Sequence, residues 1–230
     1  MKNGLLLTAL LLSVTLSAQV ATHKENIERA LRYSRSSADN LLIVQNINGN
    51  IMVEGSDRPD LAGTVVKTIK AKHDGNLAAG KEEIDLCVVK KEDVILLYMK
   101  NPCMQNLAGT MSAEQLRKES GWNRWGDCRW NPRYDYQLDY TIRVPRGVHL
   151  RLSTVNNGDI EVQNVDGDVK INNVNSAIAL AGVTGAVDAH TVNGDVTVRY
   201  RRNPRDDSKY YTLNGDIKLY FAKDLKADVF

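Results

Sequence analysis

The chain has few of the residues that mark several common protein classes. Phenylalanine occurs only at Phe221 and Phe230, and the 230 residues include three cysteines, Cys87, Cys103 and Cys128. Three is too few for a disulfide-rich miniprotein, and the spacing contains no Cys-x-x-Cys metal clip. Lys and Arg number 30 against 28 Asp and Glu. No strong net charge therefore steers the chain towards nucleic acid or an anionic bilayer.

The longest apolar stretch is at the N-terminus. Lys2 precedes an apolar run from Leu5 to Leu16, and Ser17-Ala18-Gln19 supplies small residues for cleavage. This pattern predicts a secretory signal peptide over 1–18, too short to span a bilayer. No cysteine precedes Cys87, so we expect no lipoprotein anchor, and no later window predicts a transmembrane helix. We expect an exported protein, in the periplasm or at the cell surface, in an oxidising compartment.

A nine-residue repeat runs through the second half of the chain. Within each unit, positions one, five and seven are apolar and position three is Gly or Ser, while the others are mostly polar. This is the periodicity of a strand with one buried face. The regular units begin at Val165, Val174, Val183 and Val192, and outlying copies contain Asn48-Gly49, Gly158-Asp159 and Asn214-Gly215.

Corners fit the links between these units better than hairpins do. The link His190-Thr191 contains a β-branched residue, which disfavours the positive φ that a tight hairpin needs. Two units then form an 18-residue turn of a coil with two facing strands, and the step from Gly194 to Gly215 is a 21-residue turn. We predict an all-β fold, a β-solenoid (single-stranded β-helix) of about nine-residue strand units. The recurrent glycine should point inward and keep the two sheets close.

The repeats also carry a family resemblance. Val144-Pro145-Arg146-Gly147-Val148, which leads into Leu152-Ser153-Thr154-Val155-Asn156 and the repeated Val-Asn-Gly-Asp-Val units, resembles the bacterial adhesin-like β-strand-repeat family, a domain of unknown function. The resemblance covers nearly all of the chain after the signal peptide. It implies an exported β-solenoid, with adhesion as a label by analogy. The sequence departs from the strict pattern at Ser176, Ala177 and Ala186.

The rest of the chain predicts a second strand region and an insert. We assign 19–100 to an N-terminal β-strand region that forms one continuous domain with the repeats of 138–230, and 101–137 to an irregular aromatic and cysteine-containing insert. The expected local elements are a strand over Leu61–Lys72, a short helix within Leu77–Glu83, a hairpin of Ile84–Val89 with Val94–Met99, and a capping box at Ser112-Ala113-Glu114-Gln115.

The insert contains the main candidate site. Trp122, Trp125, Trp130 and Tyr134 lie close together with Arg129 among them, a composition suited to a glycan- or peptide-binding platform. The alternative is that these rings form a small core against the flank of the coil.

The cysteines admit a similar choice. Cys103 and Cys128 bracket the insert and are candidates for a disulfide that would stabilise the fold by about 3 kcal/mol. Cys87 lies within an apolar strand pattern and is expected to be an inert, buried thiol.

No motif of a catalytic or metal site is present in the sequence. The recurrent Asp after Gly does not have the spacing of the calcium-binding nine-residue repeat, and the four histidines have no second ligand at metal spacing. We expect no catalytic residue, metal, cofactor, nucleic-acid partner or membrane span.

The sequence thus predicts a non-enzymatic cell-envelope protein, an adhesin-like surface or periplasmic interaction scaffold. An envelope protein or a glycan is the expected partner, with end-to-end or edge-mediated self-association through open strand edges. The alternatives are a glycan- or peptide-binding module that uses the tryptophan insert and a β-helix carbohydrate-active enzyme with paired carboxylates on adjacent turns.

Overall fold

Two facing mixed β-sheets enclose the core in the computed structural model, which describes residues 20–34, 37–103, 110–118, 130–223, 225–226 and 228. The fold is all-β with two short helices. The strands are β1 (Ala21–Leu31), β2 (Leu41–Gln45), β3 (Ile51–Ser56), β4 (Leu61–Ala71), β5 (Asp85–Lys91), β6 (Val94–Lys100), β7 (Asp135–Pro145), β8 (His149–Ser153), β9 (Ile160–Gln163), β10 (Val169–Asn172), β11 (Ile178–Val183), β12 (Val187–His190), β13 (Val196–Tyr200), β14 (Lys209–Tyr211) and β15 (Ile217–Tyr220), and the helices are α1 (Asp74–Glu83) and α2 (Ala113–Lys118).

The sheets are built from strands that alternate along the chain. Sheet I has the order β1-β4-β7-β3-β9-β11-β13-β15, and sheet II has the order β14-β12-β10-β8-β2-β6-β5. From β8 onwards, each strand in sheet II is followed by one in sheet I. We call each such pair a rung. The predicted signal peptide lies outside the described residues, and no helix in the described part of the chain is long and apolar enough to cross a membrane.

The predicted spacing of the rungs is present. Val169 pairs with Val187 and Ile178 pairs with Val196, both in parallel strands 18 residues apart. The next step is longer, because Val196 pairs with Ile217. The repeat glycines therefore do not lie at hairpin tips, and the repeat valines Val169, Val187 and Val196 are buried in the core.

The outlying repeat copy forms a rung of the same kind. Strand β2 pairs with β8 and strand β3 pairs with β9, both parallel, so that Leu42 lies beside Leu150 and Ile51 beside Ile160. Strands β6 and β7 pair in parallel with the other edges of β2 and β3. The chain thus places β2 and β3 between β6–β7 and β8–β9.

The N-terminal region does not continue this parallel pattern. Strand β1 pairs antiparallel with β4, β4 antiparallel with β7, and β5 antiparallel with β6. The prediction of a single-stranded β-helix along the whole chain is therefore not shown, because the sheets are mixed. For β5 and β6 the physical reason is local: the tight turn at Glu92 and Asp93 reverses the chain, and Glu92 adopts a positive φ of 47°. The predicted hairpin, the strand before it and helix α1 are confirmed.

Helix α2 covers part of the outer face of sheet II. Leu116 of α2 and Met111 before it pack against Leu41, Ile43 and Leu96 in a second, smaller core. The predicted capping box starts this helix: the Ser112 N–H donates to Gln115 Oε1, and the Gln115 N–H donates to Ser112 Oγ. The insert therefore supplies an outer layer for the first strands of sheet II.

The repeat glycines are required between rungs, not between the two sheets as the sequence suggested. A Cβ atom at Gly185 would lie 2.4 Å from the carbonyl oxygen of Gly167, and one at Gly194 would lie 2.3 Å from that of Ser176. Each contact is to the backbone of the preceding rung. Glycine therefore recurs because the corners of adjacent rungs approach too closely for any side chain.

Buried polar side chains stabilise the corners from inside. Asn46 Nδ2 donates to the carbonyl oxygens of Asn48, Gly49 and Leu138. At the equivalent corners of the later rungs, Thr154, Asn173, Thr191 and Thr212 in turn donate to carbonyl oxygens. The carbonyl groups at the corners point away from the hydrogen-bonding pattern of the sheets, and these side chains supply the hydrogen-bond donors that they would otherwise lack.

Candidate binding surface

The predicted aromatic platform is only partly described by the structure. Trp122, Trp125 and Arg129 lie outside the described residues. Tyr134 is buried, and Trp130 is partly buried against the main core. Both residues lie just before β7, which starts at Asp135, and this position places them under helix α1.

Glu83, at the end of α1, joins these two rings. Trp130 Nε1 donates to Glu83 Oε2 over 3.1 Å, and the Tyr134 hydroxyl donates to the same oxygen over 2.5 Å. The Trp130 ring also lies 5.3 Å from that of Tyr136. Burial raises the pKa of Tyr134, and the hydrogen bond to Glu83 raises it further. These contacts pack α1 onto sheet I, and ligand binding by this cluster stays a prediction.

The cysteines have different environments. Cys87 is a free thiol that is partly exposed, so it is less buried than expected. It lies beside Tyr98 on the outer face of sheet II, and burial together with a hydrogen bond to Cys87 raises the pKa of Tyr98 to about 12. Cys103 is disulfide-bonded. Its predicted partner, Cys128, lies outside the described residues, so the pairing stays a prediction.

A groove of about 410 Å³ lies on the outer face of sheet II, next to helix α2. Its floor consists of side chains in register on three parallel strands: Arg151 of β8 lies beside Lys170 of β10, which lies beside Asp188 of β12. Arg117 of α2 forms one wall. We call this feature the outer groove. It begins where the smaller apolar core between α2 and sheet II ends.

The cations of the outer groove are held in place. The Arg151 guanidinium donates to the carbonyl oxygens of Leu116 and Arg117 at the end of α2, over 3.0 and 2.7 Å. Arg117 in turn forms an ion pair with Asp93 over 2.7 Å. Burial lowers the pKa of Arg151, and the charge of Arg117 lowers it further. This network could not be predicted from the sequence, because it joins residues of the insert to the repeats.

Asp188 is the central acidic group of the groove. Lys170 Nζ donates to Asp188 Oδ2 over 2.9 Å, and His190 Nε2 lies 2.7 Å from Asp188 Oδ1. Burial acts to raise the pKa of Asp188, but the hydrogen bond and charge of Lys170, together with His190, outweigh it, so that this pKa is lowered. The carboxylate is therefore ionised at neutral pH. Its Oδ1 atom is buried, which leaves Oδ2 as the hydrogen-bond acceptor for a ligand.

Two rings lie beside the groove, two residues further along the strands than Asp188. His190 and Tyr211 are register partners in β12 and β14, with ring centroids 6.0 Å apart. Tyr211 is 49% exposed. An exposed ring next to fixed cations, carboxylates and imidazole gives both a stacking surface and donors and acceptors in defined positions.

The repeated Asp residues hold the rungs together. Asp159 Oδ1 accepts the N–H of Ala177, and Asp195 Oδ1 accepts the N–H of Asp216. Asp195 and Asp216 are the kind of adjacent-rung carboxylate pair that the enzyme alternative requires, but Lys218 Nζ lies within 3.8 and 3.5 Å of their Oδ2 atoms. Among the described residues, no group of three or more His, Cys, Asp or Glu side chains is arranged to bind a metal ion.

The last rung has two free strand edges. Strands β14 and β15 are the edge strands of sheets II and I at the same end. The interior beneath them is closed by Tyr200, whose ring stacks on Phe221 at 5.4 Å and whose hydroxyl contacts that of Tyr210. The strands themselves have no neighbour on their outer side within the described residues.

Comparisons with known proteins do not identify a family. No family model matches the chain, and no curated protein does.

Three solved bacterial structures are similar to this chain. A proposed cell adhesion protein from Clostridium sporogenes is 10% identical, covers 86% of this chain and 96% of its own, and has a TM-score of 0.42. A proposed adhesin from Bacteroides fragilis is 13% identical over 85% and 97% of the chains, with a TM-score of 0.23. A proposed lipid binding protein from Parabacteroides distasonis is 10% identical over 84% and 96%, with a TM-score of 0.23. At these values the likeness carries no argument about function, and the adhesin-like resemblance stays a prediction.

Proposed function

We propose that this protein is an exported, non-enzymatic cell-envelope scaffold, an adhesin-like β-solenoid that binds a glycan in the outer groove. The observation that supports this proposal is the groove itself. Its floor presents Arg151, Lys170 and Asp188 in register, and the exposed ring of Tyr211 lies beside this floor on the next strand, where it pairs with His190 and not with Asp188.

The chemistry of the groove fits a sugar chain better than a uniformly charged ligand. Cations and carboxylates both line it, so that neither a polyanion nor a polycation would be favoured over the whole surface. Sugar hydroxyls accept from Lys and Arg and donate to Asp. A pyranose ring presents an apolar face of C–H groups that packs on an aromatic ring. Rigid strands hold these groups, which lowers the entropic cost of binding.

Binding to a glycan array tests this proposal. We expect the wild-type protein to bind at least one glycan class and Tyr211→Ala or Asp188→Asn to weaken that binding at least tenfold. Tyr220→Ala is the matched control, because Tyr220 is similarly exposed, at 44%, but lies on sheet I. No glycan binding, or equal binding by all three variants, would overturn the proposed ligand. Glycan cleavage that is lost in Asp195→Asn would favour the enzyme alternative.

Export has a separate test. The full chain should be processed in a bacterial host so that the N-terminal sequence of the recovered protein begins within 18–21, with the protein in the periplasm or outside the cell. A protein that retains Met1 and stays in the cytoplasm would contradict export while leaving the glycan test unaffected.

A further inference from the structure

The last rung has the features of an interaction surface that the outer groove, which accounts for Tyr211 alone, does not explain. Eight large apolar side chains are exposed among the described residues, and six of them lie on or beside the last two rungs. They contrast with their counterparts one rung earlier: Val196 is fully buried, whereas its register partner Ile217 is 43% exposed. The six are Val192, Tyr211, Leu213, Ile217, Tyr220 and Leu225.

The backbone of β15 is also available for pairing. The Asp216 carbonyl accepts the N–H of Val196 and therefore points towards β13. Because backbone groups of successive residues in a strand point to opposite sides, the N–H and C=O of Ile217 point away from β13. An exposed edge of this kind is a template for another strand.

The opposite end of the molecule is not a suitable partner for this edge. Sheet I ends there in β1, an antiparallel strand whose exposed residues include Lys24, Glu25, Glu28 and Arg29. Such a charged edge opposes strand addition. Head-to-tail stacking would place these charges on the apolar residues of the last rung.

We propose that two copies of the chain associate tail to tail through β15, around a two-fold axis perpendicular to the sheets. Two copies of β15 then pair antiparallel, and sheet I continues from one copy into the other. With the axis at Ile217, the two Ile217 side chains are opposite each other and Asp216 of each copy is opposite Lys218 of the other. This register is charge-complementary, whereas an axis at Lys218 would oppose two lysines, which is unfavourable.

The same axis extends sheet II. Strand β14 is the edge of that sheet at the same end of the coil. A two-fold contact uses the same surface on both copies, so it closes at two chains and forms no filament.

Sedimentation equilibrium of the protein over a range of concentrations tests this proposal. We expect a reversible approach to twice the mass of one chain and no larger species. Ile217→Lys should raise the dissociation constant at least tenfold, because it introduces a charge on the axis. Met52→Lys is the matched control, since Met52 is 40% exposed on the outer face of sheet I away from the last rung.

A second pair of variants tests the register without depending on Ile217. Lys218→Asp should weaken the dimer because it opposes two carboxylates, and Asp216→Lys combined with Lys218→Asp should restore part of the affinity. Circular dichroism shows that each variant is folded. A monomer at every concentration, a mass that grows without limit, or a dimer unaffected by Ile217→Lys and Lys218→Asp would each overturn the proposal. Loss of dimerisation would leave glycan binding by the outer groove unchanged.

Discussion

The N–H of Asp159 donates to the Oδ1 atom of Asn50, which lies 109 residues earlier in the chain, over 2.9 Å. The same Asn50 donates its own N–H to Asp139 Oδ1, also over 2.9 Å. The side chains of Asp139 and Asn50 thus link β7, β3 and β9, three strands that are distant from one another in the sequence. The outlying repeat copy belongs to the same series of rungs as the regular repeats and lies between strands β8–β9 on one side and β6–β7 on the other.

The glycine contacts lead to a prediction about stability. Gly185→Ala should lower the free energy of unfolding by about 1–3 kcal/mol, because the new Cβ atom would overlap the carbonyl oxygen of Gly167. Gly147→Ala is the control, since a Cβ atom there would have no neighbour within 4 Å and its φ is not positive. Urea unfolding monitored by circular dichroism measures both. Equal effects of the two substitutions would contradict the role of glycine between rungs.

The buried corner amides lead to a second prediction. Asn173→Ala should cost about 1–3 kcal/mol, because it removes the side-chain donor to the buried carbonyl oxygen of Gly158 and one of the two side-chain donors to that of Ser176. Asn175→Ala removes an exposed side chain that forms hydrogen bonds with the equivalent asparagines of the adjacent rungs, Asn156 and Asn193. We expect its cost to stay below about 1 kcal/mol, because water can replace exposed hydrogen bonds. Chemical unfolding of the two variants decides the point, and a larger loss for Asn175→Ala would contradict it.

A third prediction concerns pH and the edge strand β1. The hydrogen bond from buried Lys67 lowers the pKa of Glu25, with a Nζ–Oε2 distance of 2.8 Å. Because the pKa of Glu25 is lower in the folded protein, the pair stabilises the fold fully when the pH is above the ordinary pKa of about 4. This stabilisation is lost as the pH falls through the lowered pKa of the folded protein. The stability difference between wild type and Glu25→Gln should therefore be present at neutral pH and shrink as pH falls below about 4.

The control for this prediction is Glu28→Gln on the same strand. The Glu28 substitution should give no such pH-dependent difference, since Lys67 pairs with Glu25. Thermal unfolding from neutral to acidic pH measures both variants. A difference for Glu25→Gln that grows towards low pH would show that the pair does not act as described.

The sequence predicted the parts of the fold whose information is local. Apolar residues at alternate positions, such as Val169 and Ile171, are sufficient to identify a buried strand face, and the constant step identifies the parallel pairing of Val169 with Val187. The hairpin and the capping box at Ser112 were predictable for the same reason, because their residues are adjacent in the chain.

The remaining features depend on contacts between distant segments. The sequence pattern of Leu61–Ala71 identifies a strand but not its antiparallel direction, which the pairing with β7 fixes. Likewise, nothing in the spacing shows that Arg151 would hold the end of α2 and thereby border a groove. The inward glycine was a reasonable inference from strand alternation, but the contact of Gly185 with Gly167 arises at the corner, where that alternation is interrupted.

The most direct test of the account is a disulfide between the outlying copy and the repeats. Met52 and Glu161 are register partners on the outer face of sheet I, in β3 and β9. Met52→Cys combined with Glu161→Cys, in a Cys87→Ser background, should form a disulfide under mild oxidation, because in-register neighbours lie about 5 Å apart at Cα. Met52→Cys with Gln163→Cys is displaced by two residues and should not form one. Peptide mapping by mass spectrometry should find the 52–161 link in addition to the disulfide of Cys103; absence of the 52–161 link, or equal bridging in the displaced pair, would contradict the stacking of β3 on β9.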